Sequence, residues 1–127
     1  MTCDSPHTYS LLEFNAVLRS AVAGAFPDKY WISAEISELH VNAAGHCYLE
    51  LIEKDSRGAT VARQRAMIWA AVYRLLKPYF EQETGYRLAA GIKVLVQVSV
   101  SFHELYGMSL AICDINPTYT LGDAARK

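Results

Sequence analysis

The sequence predicts a mainly β fold, a small five-stranded barrel carrying two helices, and three observations predict it. The first is the stretch from Trp31 to Leu51, WISAEISELHVNAAGHCYLEL, two runs of alternating apolar and polar residues around a polar turn. The second is KVLVQVSVSF, where Val94, Val96, Val98, Val100 and Phe102 alternate without interruption, the period of a strand with one buried face. The third is the order of elements: helix, three strands, helix, two strands.

Residues 1–8 are polar and broken by Pro6, and are expected to form a flexible arm. Ser10 with Glu13 has the spacing of a capping box, and Tyr9 with Phe14 that of a hydrophobic staple, so a helix is expected to begin there. Phe14, Val17, Leu18, Ala21 and Val22 give it one apolar stripe to lay on the barrel, and Gly24 with Pro27 ends it. In the first strand Ile32, Ala34 and Ile36 point one way, and Trp31, Ser33, Glu35 and Ser37 the other. After a turn over 42–45, Cys47, Leu49 and Leu51 oppose His46, Tyr48 and Glu50.

The following EKDSRGATVARQ reads as a long, charged, mobile connection carrying Lys54, Arg57 and Arg63. RQRAMIWA reads as the third strand, with Ala66 and Ile68 on one side and Arg65, Met67 and Trp69 on the other. From Ala70 to about Thr84, residues Val72, Leu75, Leu76, Tyr79 and Phe80 keep helical spacing, and Pro78 among them predicts a kink or two short helices. Gly85 and Gly91 bracket a turn before the fourth strand. HELYG at 103–107 is a loop, and the fifth strand runs from Met108 to about Ile115, before Pro117.

This is the element order of an OB-fold, a Greek-key barrel that binds oligonucleotides or oligosaccharides through strands 2 and 3 and two loops. An α+β sandwich has the same string of elements. Composition narrows the function. A chain of 127 residues, 52% hydrophobic, builds one ordinary core and leaves no room for a second, catalytic domain. Its net charge of −1 creates no global field for nucleic acid or an anionic membrane, so any nucleic-acid contact needs a local patch.

Cys3, Cys47 and Cys113 are too few and too scattered for a disulfide framework. With no export signal and no apolar run approaching 18 residues, the expectation is a soluble, cytoplasmic protein away from membranes. The sequence has no P-loop, no GxSxG and no HExxH. His46, Glu50 and Glu53 are the only close cluster of metal-ligating types. In a strand His46 and Glu50 stand about 13 Å apart, too far for one metal. Neither a metal, a cofactor nor independent catalysis is expected of this chain.

WISAEISEL, GHCYLEL, the strand from Ala66 to Trp69, VQVSVSFHELYG and the tail INPTYTLGD, in this order and spacing, resemble the N-terminal domain of the exodeoxyribonuclease VII large subunit. The resemblance covers roughly residues 9–123. It implies an OB-fold over 9–117 that holds single-stranded DNA. Cleavage of that DNA to short oligonucleotides would belong to a following domain. A small subunit would assemble on parts of the full-length protein outside this chain. The resemblance also implies that 118–127, ending in LGDAARK, begins a linker to the absent catalytic domain.

Single strands are held by flat side chains under the bases and by cations or amides along the phosphates. Tyr48 and Trp69 on strands 2 and 3, with His46 at the start of strand 2, form the expected platform; Trp31 lies on the same surface or covers the first helix. Arg63 and Arg65 are the expected phosphate partners. His40 and Asn42 in the first loop, and His103 and Tyr106 in the last, are placed to close over the strand, although the last loop carries Glu104 and no arginine or lysine. Two further functions fit the same barrel: an anticodon- or RNA-binding module, as in aminoacyl-tRNA synthetases, and a protein-interaction barrel whose near-neutral charge suits a protein partner.

Overall fold

A computed structural model describes residues 7–125; of the expected arm at 1–8, residues 1–6 lie outside the described residues. The elements are α1 (Leu11–Ala25), β1 (Lys29–Val41), β2 (Cys47–Lys54), β3 (Thr60–Ile68), α2 (Ala70–Thr84), β4 (Lys93–His103), β5 (Gly107–Ile115) and α3 (Pro117–Ala125). The strands close into one barrel in the order β1-β2-β3-β5-β4. The fold is the mainly β, five-stranded barrel with a leading helix and a helix between strands 3 and 4.

β1 serves two neighbours in turn. Its first half pairs with β4, from Lys29↔Ser99 to Glu35↔Lys93, and its second half with β2, from Glu35↔Ile52 to Val41↔Cys47. The register slips between Ile36 and Glu38, a bulge that bends the strand. At the bend the Ile36 N–H donates to the Ile92 carbonyl and its own carbonyl accepts from the Gly91 N–H. Closure on the far side is a short parallel contact, Ala66↔Leu110 and Met67↔Ala111, between β3 and β5.

The alternation read from the sequence is the alternation of burial. Ile36, Cys47, Leu49, Leu51, Ala66, Ile68, Val94, Val96 and Val98 all face the core, the isoleucines, leucines and valines each worth about 1.5–3 kcal/mol of transfer free energy. Burial also pushes the Cys47 thiol up to about 11, against a smaller lowering by its hydrogen bond with Tyr73. The thiol is therefore protonated and inert at neutral pH.

The helices depart further from expectation. α1 starts on the capping box, with Ser10 Oγ accepting from the Glu13 N–H and Glu13 Oε1 from the Ser10 N–H. Yet it buries no residue fully: Leu18 and Val22 are half-covered, while Phe14, Val17 and Ala21 of the expected stripe are exposed. α2 is one continuous helix through Pro78. Pro78 and Arg74, whose carbonyl loses its partner, both lie on the exposed side. Tyr73, Leu76 and Phe80 on the other side hold both halves to the core, and Leu75 and Tyr79 of the expected apolar face are exposed.

The connection after Glu53 is shorter than it reads. β2 and β3 extend to Lys54 and Thr60, and Asp55 Oδ1 accepts from the N–H groups of Arg57 and Ala59 to tie a five-residue turn. Of residues 118–127, expected to begin a linker, 118–125 are helical, within α3, and 126–127 lie outside the described residues. Asn116 Oδ1 accepts from the Thr118 N–H, Pro117 is buried, and the buried Thr120 donates its hydroxyl to the Lys93 carbonyl at 2.7 Å.

The link from α2 to β4 hangs on one carboxylate. Gly85 ends α2 with φ +75, a conformation that favours glycine. Glu81 then accepts from the Leu88 N–H at 2.9 Å and from Lys77 Nζ at 3.0 Å. These bonds, the Leu88 N–H first and Lys77 after it, hold the Glu81 carboxyl below the usual carboxylate range. A lowered carboxylate stabilises the fold above its unfolded pKa, and that stabilisation is lost as pH falls through the folded value. Glu81→Ala is therefore expected to cost about 1 kcal/mol, or about 4 °C in Tm, at pH 7. Thermal melts should show the gap to the parent closing as pH is lowered from about 5 to 3; a gap independent of pH would remove Glu81 from this role.

Candidate nucleic-acid interface

The outward residues of β1, β2 and β3 fall into two rows. Ladder pairing aligns His40 with Tyr48 and Tyr48 with Met67. It aligns Glu38 with Glu50 and Glu50 with Arg65 in the next row. The first row carries two aromatic rings and a methionine; the second is charged. Together Glu38, His40, Tyr48, Glu50 and Arg65 line a groove of about 420 Å³ floored by Leu49 and Ala66.

In the first row the His40 and Tyr48 rings stack, centroids 5.4 Å apart and planes 23° from parallel. Tyr48 is 36% exposed, and Asn42 Nδ2 donates to its hydroxyl at 3.5 Å. Asn42 also closes the β1–β2 turn, its Oδ1 accepting from the His46 N–H and its own N–H donating to the His46 carbonyl. Gly45 sits in this turn at φ +92, where a Cβ would meet the Ala70 Cβ at 3.4 Å. Glycine thus lets the turn lie against the start of α2.

His46 and Trp69 differ from their expected roles. β3 ends at Ile68, and Trp69 is the residue that caps α2, with its side chain making no cap bond. The bond comes from elsewhere: His46 Nδ1 accepts the Ala70 N–H at 3.0 Å, which requires the tautomer with its proton on Nε2. The imidazole also meets the Trp69 ring edge-on, 5.0 Å between centroids and 89° between planes. His46 is thus a support for Trp69, which is 53% exposed and lies two residues past Met67, outside the lining of the groove.

The two arginines are not equivalent. Arg63 Nε lies 3.7 Å from Glu50 Oε2, and Glu50 is also held by the Ser37 hydroxyl at 2.7 Å. Arg65 is exposed and makes no ion pair among the described residues. It is the cation this groove has available for a phosphate, with Glu38 and Glu50 beside it.

His103 and Tyr106 form a separate stacked pair, 4.9 Å and 29°, on the β4–β5 turn, with His103 Nδ1 accepting from the Leu105 N–H. Tyr106 is 75% exposed. Glu104 ties this turn to α1, its carboxylate 3.2 Å from Arg19 Nη1 and its carbonyl accepting from Asn15 Nδ2. Its own backbone N–H, then Arg19, hold that carboxylate below the usual range. No described contact joins this pair to the groove. Trp31 is elsewhere too, nine residues from His40 along β1, or about 30 Å of extended strand. It neither joins the groove nor covers α1, but faces Tyr79 of α2. Met67 belongs to the first row although it was not singled out; its alternation with Arg65 and Trp69 was the signal.

Among the described residues no group of three or more His, Cys, Asp or Glu side chains is arranged to hold a metal ion, and no helix is long and apolar enough to cross a membrane.

Residues 9–116 match the family described as OB-fold nucleic acid binding domain. Over 120 residues, 91% of the chain, the sequence is 38% identical to the exodeoxyribonuclease 7 large subunit of Deinococcus radiodurans, 28% of which is covered. The same subunit of Haemophilus influenzae is 29% identical over 110 residues, 87% of this chain and 22% of that one. The chain spans about a quarter of the length of these curated relatives. Among solved structures, the mitochondrial single-stranded DNA binding protein of S. cerevisiae aligns with 72% of this chain and 92% of its own, at 19% identity and a TM-score of 0.46. Barrel topology and sequence agree, and the chain belongs to the OB-fold nucleic acid binding domain family.

Proposed function

We propose that this chain holds single-stranded DNA for an exodeoxyribonuclease VII, as one domain of its large subunit. The observation that carries the reading is the row His40, Tyr48 and Met67 with Arg65 in the row beside it, and the exposed Trp69 two residues beyond Met67 along the chain. Its context is family membership and the 38% identity to a large subunit.

In this reading bases stack on the row, each contributing about 1–3 kcal/mol whatever its identity, and one or two phosphates approach Arg65. Holding is thus independent of sequence, as a degrading enzyme requires. The strand is passed to a domain outside this chain, which hydrolyses the phosphodiester bonds and supplies whatever metal that step uses. This domain itself holds no cofactor. The small subunit assembles on other parts of the large one, and the enzyme works in the cytoplasm.

The test is fluorescence anisotropy of a labelled single-stranded DNA of about 20 nucleotides, with duplex DNA and RNA as competitors. Expected is saturable binding at low salt that single-stranded DNA competes best, with a log–log salt slope of about −0.7 for each phosphate held. Better competition by RNA would move the assignment to an RNA-binding module, and no binding would overturn it. Trp69→Ala is expected to weaken binding by about fivefold or more. Glu38→Gln, which removes a repelling charge beside Arg65, should tighten it about twofold to threefold; unchanged affinity would take Glu38 out of the groove's field. His46→Ala in a Trp31→Phe background should red-shift Trp69 emission without DNA present, and His46→Asn, which keeps an acceptor near Nδ1, should restore it. An unshifted spectrum in His46→Ala would refute the supporting role.

A further inference from the structure

The barrel has a second aromatic surface, away from the groove. On the outward side of the sheet, Trp31 of β1 is paired with Gln97 of β4, and Gln97 with Asp114 of β5. Trp31 and Asp114 thus stand two strand spacings apart, about 10 Å. Above them α2 presents Tyr79 and Glu83, which share a face at i and i+4. α3 adds Leu121 at the rim. These side chains line one cleft of about 300 Å³.

Its chemistry is one-sided. Trp31, 47% exposed, and Tyr79 offer aromatic faces, and Glu83 and Asp114 offer carboxylates. No lysine, arginine or histidine lines it, and neither carboxylate is in an ion pair among the described residues. Elsewhere on this barrel three lysines lie beside carboxylates: Lys54 with Glu35, Lys77 with Glu81, Lys93 with Asp123. A cation between an aromatic face and a carboxylate gains from both. A phosphate would be repelled by both carboxylates, so the cleft is no extension of the nucleic-acid groove.

The rim decides the source of the cation. Leu121, and Leu75 one turn before Tyr79, are exposed beside the cleft, Leu75 at 72%. A free amine would leave them in water, whereas a peptide carrying the cation buries them along its stem and flanking residues. We infer that the cleft between Trp31, Tyr79, Glu83 and Asp114 is a docking site for an arginine or lysine side chain on an apolar segment of a protein partner. This inference stands apart from the proposed DNA role and uses none of its residues.

Trp31 reports on the cleft once Trp69, the other tryptophan, is replaced. In a Trp69→Phe background, Trp31 fluorescence is followed during titration with the peptide acetyl-Leu-Arg-Leu-amide, with acetyl-Leu-Glu-Leu-amide and arginine amide as comparison ligands. Expected is a saturable change with the arginine peptide below about 10 mM, the range of a single weak contact. The glutamate peptide should give none, and arginine amide should bind severalfold more weakly. Glu83→Gln with Asp114→Asn should weaken the peptide at least about tenfold, with the melting transition checked to show the variant is folded. A peptide signal that the double variant leaves unchanged would overturn the inference. So would no saturation, equal binding of arginine amide, or displacement by a 20-nucleotide single-stranded DNA.

Discussion

β1 must bend to serve two ladders, and the rest of the barrel depends on that bend. Its first half belongs to β4 and its second to β2, so without the slip between Ile36 and Glu38 the sheet would stay open, with edge groups exposed. The bend is stabilised from both sides. Ile36, almost fully buried, anchors it in the core, and its two backbone groups are satisfied by Gly91 and Ile92, just ahead of β4. Ser37, within the bulge, donates its hydroxyl to Glu50 on β2. The same bend places Trp31 and His40 at opposite ends of one strand, each on a different surface. Two separate grooves follow from one kinked strand.

Strands were legible because the interior of a small barrel admits only one face of each, and a period of two states which face that is. Cys47, Leu49 and Leu51, or Val94, Val96 and Val98, could be sorted without knowing their neighbours. Helix faces were less legible. In α2 the apolar residues at Val72, Leu75, Leu76, Tyr79 and Phe80 span more than one face, and contact with the core selects Tyr73, Leu76 and Phe80. Leu75 and Tyr79 then stay outside beside the second cleft. α3 had a local signal that went unread: Asn116 as the cap and Pro117 at the first helical position. Its attachment, Thr120 to the Lys93 carbonyl, is a tertiary contact that no local pattern contains.

The groove shows the same division. Tyr48 and Arg65 were readable as outward residues on adjacent strands, whereas His40, expected in the first loop, lies within β1, which runs on to Val41, and the ladders bring the three into neighbouring rows. Trp69 was misplaced because alternation cannot distinguish the last outward residue of a strand from the cap of the helix that follows. The distinction rests on a bond from His46 to Ala70, 24 residues apart in sequence. His46, chosen as a ligand-facing ring, is occupied by that bond. A side chain's type suggests what it can touch, and only its partners settle what it does touch.

Charge explains why stacking would have to dominate in the proposed role of this groove. Arg63 is drawn to Glu50, Arg19 to Glu104, and the lysines at 54, 77 and 93 to carboxylates of their own. Exposed pairs of this kind contribute little to stability, but they place a competing carboxylate beside each cation. A phosphate approaching Arg63 must compete with Glu50, and at Arg65 it meets the field of two glutamates. Electrostatic capture is therefore weak by construction of the surface. What remains is dispersion against flat rings, which falls off within ångströms and varies little between bases. In the proposed role, such a surface would hold a strand by short-range contact and would not draw it in from a distance.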